Sequence, residues 1–301
     1  MRPTLASALG EPPPNVCDDS NVGPSTTPES PCDNRAMVWI RKLLARLGLG
    51  PRPLLNVAGD TGEGPAVILV HGIASSSVTF QNLVPLLSPR HRVISLDILG
   101  HGGSPAPKNA TYRVEEHVEW LYRTIRSLKI RGDIVIVGHS LGALIVARYA
   151  RVHPERIAKV VLVSPPIYLN PQQIGDRIER AAVSAYLKAY EYLRLNKEFT
   201  IRRAALIARM LPIRNVFEVS ERNWNAFRLS LQNSIELQTT VEDIAGVTAP
   251  VEIVYGALDQ FIAPGSMNLV KHMPHVTVHR VDLNDHIVRK RLARAVDAAI
   301  G

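Results

Sequence analysis

The chain has 301 residues, 46% of them hydrophobic and 21% charged, with a formal charge of +8. Such a balance fills a sizeable core, and the length fits one or two domains, while no run approaches the roughly 18 apolar residues of a membrane-spanning helix. Cys17 and Cys32 are the only cysteines, so a cysteine nucleophile or a thiolate zinc site is excluded from everything after them; the basic residues are interleaved with acids and no nucleic-acid motif accompanies them, which argues against a nucleic-acid partner.

Residues 1–36 are rich in Pro, Ser, Thr, Asn and Asp, too poor in large apolar groups to offset ordering entropy, and are expected to form a disordered tail. No long apolar run follows Met1, as a secretory leader requires, so a cytoplasmic location is expected. A different text opens at Met37, which raises an internal translation start as an alternative. Ile40, Leu43, Leu44 and Leu47 recur at helical spacing while Arg41, Lys42 and Arg46 fall elsewhere. Residues 37–52 therefore read as a basic amphipathic helix and linker. Two readings stand for residues 37–49: packing on the domain, or peripheral contact with a membrane through Trp39.

From residue 53 short β-branched runs alternate with helical segments, the pattern of an α/β fold with a mostly parallel central sheet and helices on both faces. Strands are expected at 66–70, 92–96, 134–137, 157–163, 251–255 and 276–281. Helices are expected at 78–87, 114–128, 141–152, 264–272 and 287–300. Between Pro53 and Gly64 there is room for one strand. The interval 166–249 breaks the alternation and reads mostly helical, with Tyr186, Tyr190, Leu193, Trp224 and Phe227 among its apolar residues. So long a connection needs structure of its own and is expected to be an inserted helical cap.

Gly138-His139-Ser140-Leu141-Gly142 lies directly after one expected strand and directly before a helix. That is the context in which Gly-x-Ser-x-Gly forms a nucleophile elbow. The turn is too tight for side chains at Gly138 and Gly142, and it thrusts the Ser140 hydroxyl out at the sheet edge, where the dipole of the following helix favours negative charge. His71-Gly72-Ile73 follows the first long strand, where backbone N–H groups of Ile73 and Leu141 can hold an oxyanion. Gly72 permits close approach there, and His71 is expected to shape the loop. Ser75, Ser76 and Ser77 are expected to be solvated, with one within reach of substrate.

Asp97-Ile98-Leu99-Gly100-His101-Gly102-Gly103-Ser104 completes a set that resembles the α/β-hydrolase fold superfamily, in its capped serine-nucleophile branch. The resemblance runs from residue 53 to the C-terminus. It implies that Asp97 and His101 stabilise their turn and perform no chemistry. A serine hydroxyl needs a base and a group that orients the base, in the chain order Ser, acid, His. Asp259, in Tyr255-Gly256-Ala257-Leu258-Asp259, is the acid after the cap, and His286, after the last strand, is the base. The family's glycine before the histidine is here Asp285, which either alters the loop or pairs with a basic neighbour.

The expected activity is hydrolysis of a carboxylic ester of a small apolar substrate, without cofactor or metal. The alternatives are C–C bond hydrolysis of a ring-cleavage product, cofactor-free perhydrolysis, and a non-catalytic member of the fold. Ile73-Ala74-Ser75-Ser76 stands where the C–C hydrolases have a glycine-rich stretch. Serine at 140 opposes the epoxide hydrolases and dehalogenases, which place aspartate there.

Overall fold

The computed structural model describes residues 53–210, 217–263 and 265–301; the expected tail and amphipathic helix at 1–52 lie outside them. Seven strands form the central sheet: β1 (Val57–Thr61), β2 (Ala66–Val70), β3 (Arg92–Leu96), β4 (Ile134–His139), β5 (Ile157–Val163), β6 (Val251–Gly256) and β7 (Val276–Val281). Their spatial order is β1-β3-β2-β4-β5-β6-β7. Among the described strands only β1 runs antiparallel, pairing with β3 at the edge, and the other pairings are parallel.

Every residue of β2 is buried, because helices cover both faces. Side chains alternate between two cores: Ala66, Ile68 and Val70 face one, Val67 and Leu69 the other. The first core lies under α2 (Val114–Ser127) and α3 (Leu141–Val152). The second is closed by α8 (Lys290–Ile300) and the segment between β2 and β3. From β2 the chain first steps to β3 and then crosses to β4 on the other side. The sheet reverses its winding there, and the crevice at the strand C-termini opens at that point.

Three expected helices come out differently. The one at 78–87 is a 3-10 turn (Ser77–Phe80) followed by one turn, α1 (Val84–Leu87), opened by Pro85, which cannot continue a preceding helix. At 264–272 the described residues form only a 3-10 turn, Ser266–Leu269. The last helix starts at Lys290, not Ile287, because the Asp285 carboxylate accepts the Ile287 N–H at 3.2 Å and so holds 287–289 in a turn.

Between β5 and β6 lie α4 (Arg177–Leu195), α5 (Lys197–Met210), α6 (Trp224–Ser230) continued by a π turn at Leu231–Ile235, and α7 (Thr240–Ala245). Asp176 caps α4, its carboxylate accepting from the N–H groups of Ile178 and Glu179. Buried Asp243 of α7 pairs with Arg148 and Arg151 on α3, tying this layer to the helix that begins next to Ser140. Among the described residues no helix is long and apolar enough to cross a membrane.

Candidate active site

Ser140 stands between β4 and α3 with φ 54° and ψ −123°, a strained backbone for a side chain other than glycine's. Its N–H donates to the Val163 carbonyl at 2.9 Å and its carbonyl accepts from Ala143 at 2.9 Å. The elbow needs its glycines for a concrete reason. A Cβ at Gly138 would strike the Gly142 backbone, and one at Gly142 would strike the Val70 carbonyl. At Gly72 a Cβ would lie 2.7 Å from the Ser140 Cβ. The bare backbone of the β2 loop therefore lies against the serine.

Leu141 is the first residue of α3, so its N–H has no intrahelical acceptor. Neither this N–H nor that of Ile73 donates to an acceptor among the described residues. The Ile73 loop is held from within. His71 is fully buried; its Nε2 accepts the Ile98 N–H at 3.1 Å and its Nδ1–H donates to the Gly72 carbonyl at 2.8 Å. With both ring nitrogens engaged, and burial lowering its pKa against the pull of Asp97, His71 is a neutral loop brace. Burial would raise the pKa of Asp97, but the Gly103 N–H, the neighbouring His71, Asn56 and the Ser77 N–H together reverse that and hold its carboxyl below the ordinary range.

Asp259 follows β6 and His286 follows β7, and the two meet. His286 Nδ1 lies 3.0 and 2.9 Å from the two carboxylate oxygens, one of which also accepts the Phe261 N–H at 2.9 Å. Burial alone would raise the Asp259 pKa; the hydrogen bond and charge of His286 reverse that, and the carboxyl titrates below its usual value. An ionised Asp259 fixes the proton on His286 Nδ1 and leaves Nε2 with its lone pair. Ser140 and His286 line one cavity. They are not hydrogen-bonded to each other, a contact that commonly forms only once substrate is bound.

The loop carrying His286 is clamped by donors that sequence reading passed over. Buried Asn284 donates through Nδ2 to the carbonyls of Asp285 at 2.7 Å and Ile287 at 3.1 Å. His139 donates through Nε2 to the carbonyl of His286 itself at 2.9 Å, with the two rings 4.8 Å apart. Three consecutive carbonyls are thus each held by a side chain. Asp285 takes Arg289 at 2.7 Å, the pairing that was one of its two expected fates. Phe261 also packs against the imidazole, at 4.6 Å between centroids.

The cavity measures about 260 Å³. Ile73, Pro166, Leu193, Phe217, Phe227, Leu231, Ile235, Phe261, Ile287 and Val288 form its apolar wall, with Ser75, Thr79, Tyr190 and Gln260 as polar points. Ser75 and Thr79 hydroxyls hydrogen-bond to each other at 2.6 Å, so Ser75 is the serine of its run that reaches the cavity. Among the described lining residues there is no Lys, Arg, Asp or Glu.

Burial lowers the pKa of His101 to about 4 and those of His117 and His139 to about 3. These rings are neutral in the fold, whereas in the unfolded chain they titrate near 6.5. Below that pH the unfolded chain takes up protons the folded one refuses, so stability is full above about pH 6.5 and falls on acidification, by about 1.4 kcal/mol per pH unit for each ring. A fall of roughly 10 °C or more in Tm between pH 7 and 5 is expected by calorimetry, with a shallower slope for His117→Gln. A Tm indifferent to pH over that window would contradict the buried neutral state.

The sequence profile of the alpha/beta hydrolase fold family matches residues 65–288. The 2-(acetamidomethylene)succinate hydrolase of Mesorhizobium japonicum is 34% identical over 146 residues, 48% of this chain and 50% of that protein. The probable lysophospholipase BODYGUARD 2 of Arabidopsis thaliana is 33% identical over 113 residues, 36% of this chain and 24% of that protein. This chain's matches thus span from about a quarter to a half of the length of these curated relatives. The crystal structure of E-2-(acetamidomethylene)succinate hydrolase superposes with a TM-score of 0.64 at 25% identity, covering 83% of this chain and 96% of that one.

Proposed function

This chain belongs to the alpha/beta hydrolase fold family, and from that premise we propose that it is a serine hydrolase cleaving carboxylic esters with an uncharged, apolar acyl group. The observation that carries the proposal is the pairing of His286 Nδ1 with the buried Asp259 carboxylate beside a strained serine in one apolar cavity.

In this reading His286 Nε2 takes the Ser140 hydroxyl proton as Oγ attacks the ester carbonyl. The N–H groups of Ile73 and Leu141 receive the oxyanion. Collapse of the tetrahedral intermediate expels the alkoxide, which leaves with the proton carried by His286. Water then gives a proton to Nε2, attacks the acyl-enzyme and releases the acid, and the proton returns to Oγ.

The wall of the cavity supports an apolar acyl group over an anionic one. A carboxylate buried there would find no cation among the described lining residues, and burying an unpaired charge costs several kcal/mol. Each buried methylene contributes about 0.8 kcal/mol. The kcat/KM of nitrophenyl esters is accordingly expected to rise about fourfold per methylene from acetate upward until the cavity fills, and to drop sharply for a succinate half-ester. Equal rates along the series, or preference for the half-ester, would remove this substrate class. C–C bond hydrolysis of a ring-cleavage product and perhydrolysis would use the same serine; no observation at the site favours either.

His139 enters as a positioning residue for His286. His139→Phe, which loses the donor to the His286 carbonyl, is expected to lower kcat about tenfold. His139→Gln, which can still donate, should restore most of it. Equal loss in both variants would count against the carbonyl clamp.

A further inference from the structure

Helix α4 is apolar on two opposite sides. Val183, Tyr186, Leu187, Tyr190 and Leu193 face inward, and Tyr190 and Leu193 line the cavity. At helical spacing on the opposite side, Ile178, Ala181, Ala185, Ala189 and Tyr192 are exposed. Ile178 is 78% exposed and Tyr192 51%, and at the end of the helix Leu195 is 65% exposed. A helix apolar on both sides has a second apolar environment to meet, beyond its own core.

The composition around that outer face indicates what meets it. Tyr192 and Phe199, across the bend into α5, form an exposed edge-to-face pair with centroids 5.3 Å apart, and the Arg203 guanidinium lies over the Phe199 ring at 5.4 Å. Residues 177–206 carry seven Lys and Arg against three Glu. Arg194, Lys197 and Arg202 are in ion pairs, whereas among the described residues Arg177, Arg180, Lys188 and Arg203 are in none. Exposed aromatic and aliphatic groups rimmed by unpaired cations are the chemistry of a helix lying in the interface of an anionic bilayer. A second copy of this chain would set like charges against each other. So would the chain's own residues 37–52, which contain four Lys and Arg and no acid.

We propose that the α4–α5 hairpin docks on an anionic lipid surface through Ile178, Tyr192, Leu195 and Phe199, bringing the wall of the cavity against the bilayer. This surface is independent of the chemistry at Ser140, and its test does not use turnover as the readout. The full chain is sedimented with vesicles of phosphatidylcholine alone or containing phosphatidylglycerol, alongside the double variant Tyr192→Glu with Leu195→Glu. Binding about a hundredfold tighter to the anionic vesicles at low salt is expected, with loss of at least tenfold in the double variant. Hydrolysis of a soluble nitrophenyl ester by the variant should match the parent, since neither side chain lines the cavity. Undiminished vesicle binding by the variant would overturn the proposal and shift the contact elsewhere on the chain. Absence of vesicle binding would overturn it too, as would a dimer in sedimentation velocity that the double variant dissolves.

Discussion

Ser140→Ala is expected to lower kcat for a nitrophenyl ester by about 10⁴- to 10⁶-fold while leaving KM nearly unchanged. The cavity wall proposed to hold the acyl group is untouched by this change, and the N–H groups of Ile73 and Leu141 remain, so a small residual rate over water should persist. What is removed is the oxygen that forms the acyl-enzyme in the proposed reaction. The same position offers an independent readout. Ser140 pays for its φ of 54° with backbone strain, of about 1–3 kcal/mol. Glycine relieves that strain at some cost in unfolded-state entropy, so Ser140→Gly should be inactive yet more stable, with a Tm higher by a few degrees. An inactive variant that is also destabilised would mean that the elbow is not strained.

Asp259→Asn is expected to cost about 10⁴-fold in kcat, again with little change in KM. One carboxylate oxygen accepts both the Phe261 N–H and His286 Nδ1. An amide at this position satisfies Phe261 best with its oxygen there, which turns its NH₂ toward the imidazole. His286 must then present a lone pair at Nδ1 and carry its proton on Nε2, the nitrogen that accepts the serine proton in the proposed reaction. The ring stays in place in the wrong tautomer. Titration of the imidazole by NMR would show the exchange directly: the Nδ1 proton signal of the parent should vanish in the variant. Retention of that signal with full activity would deny Asp259 its orienting role.

The sheet was legible because its strands are short, uninterrupted β-branched runs such as Ile134-Val135-Ile136-Val137, and burial on both faces demands nothing subtler. Strand order confined the candidate acid to the turn after β6 and the candidate base to the loop after β7, which is why Asp259 and His286, 27 positions apart, could be singled out. Two of the three misread helices fail for local reasons that hydrophobic spacing does not encode: Pro85 restarts one, and a single carboxylate at Asp285 delays another by three residues. His139 and Asn284 were passed over because their contribution is a hydrogen bond to backbone carbonyls, and a carbonyl leaves no mark on sequence. The apolar stripe of α4 was visible as apolar, but only the fold divides it into a side that lines the cavity and a side that faces outward.

A fluorophosphonate probe followed by peptide mass spectrometry addresses the activated serine most directly, because an unactivated hydroxyl reacts too slowly to be seen. A single adduct on the peptide containing Ser140 is predicted, forming at least about 10³-fold more slowly in His286→Ala. No adduct, an adduct on another residue, or equal labelling of the parent and His286→Ala would contradict the account.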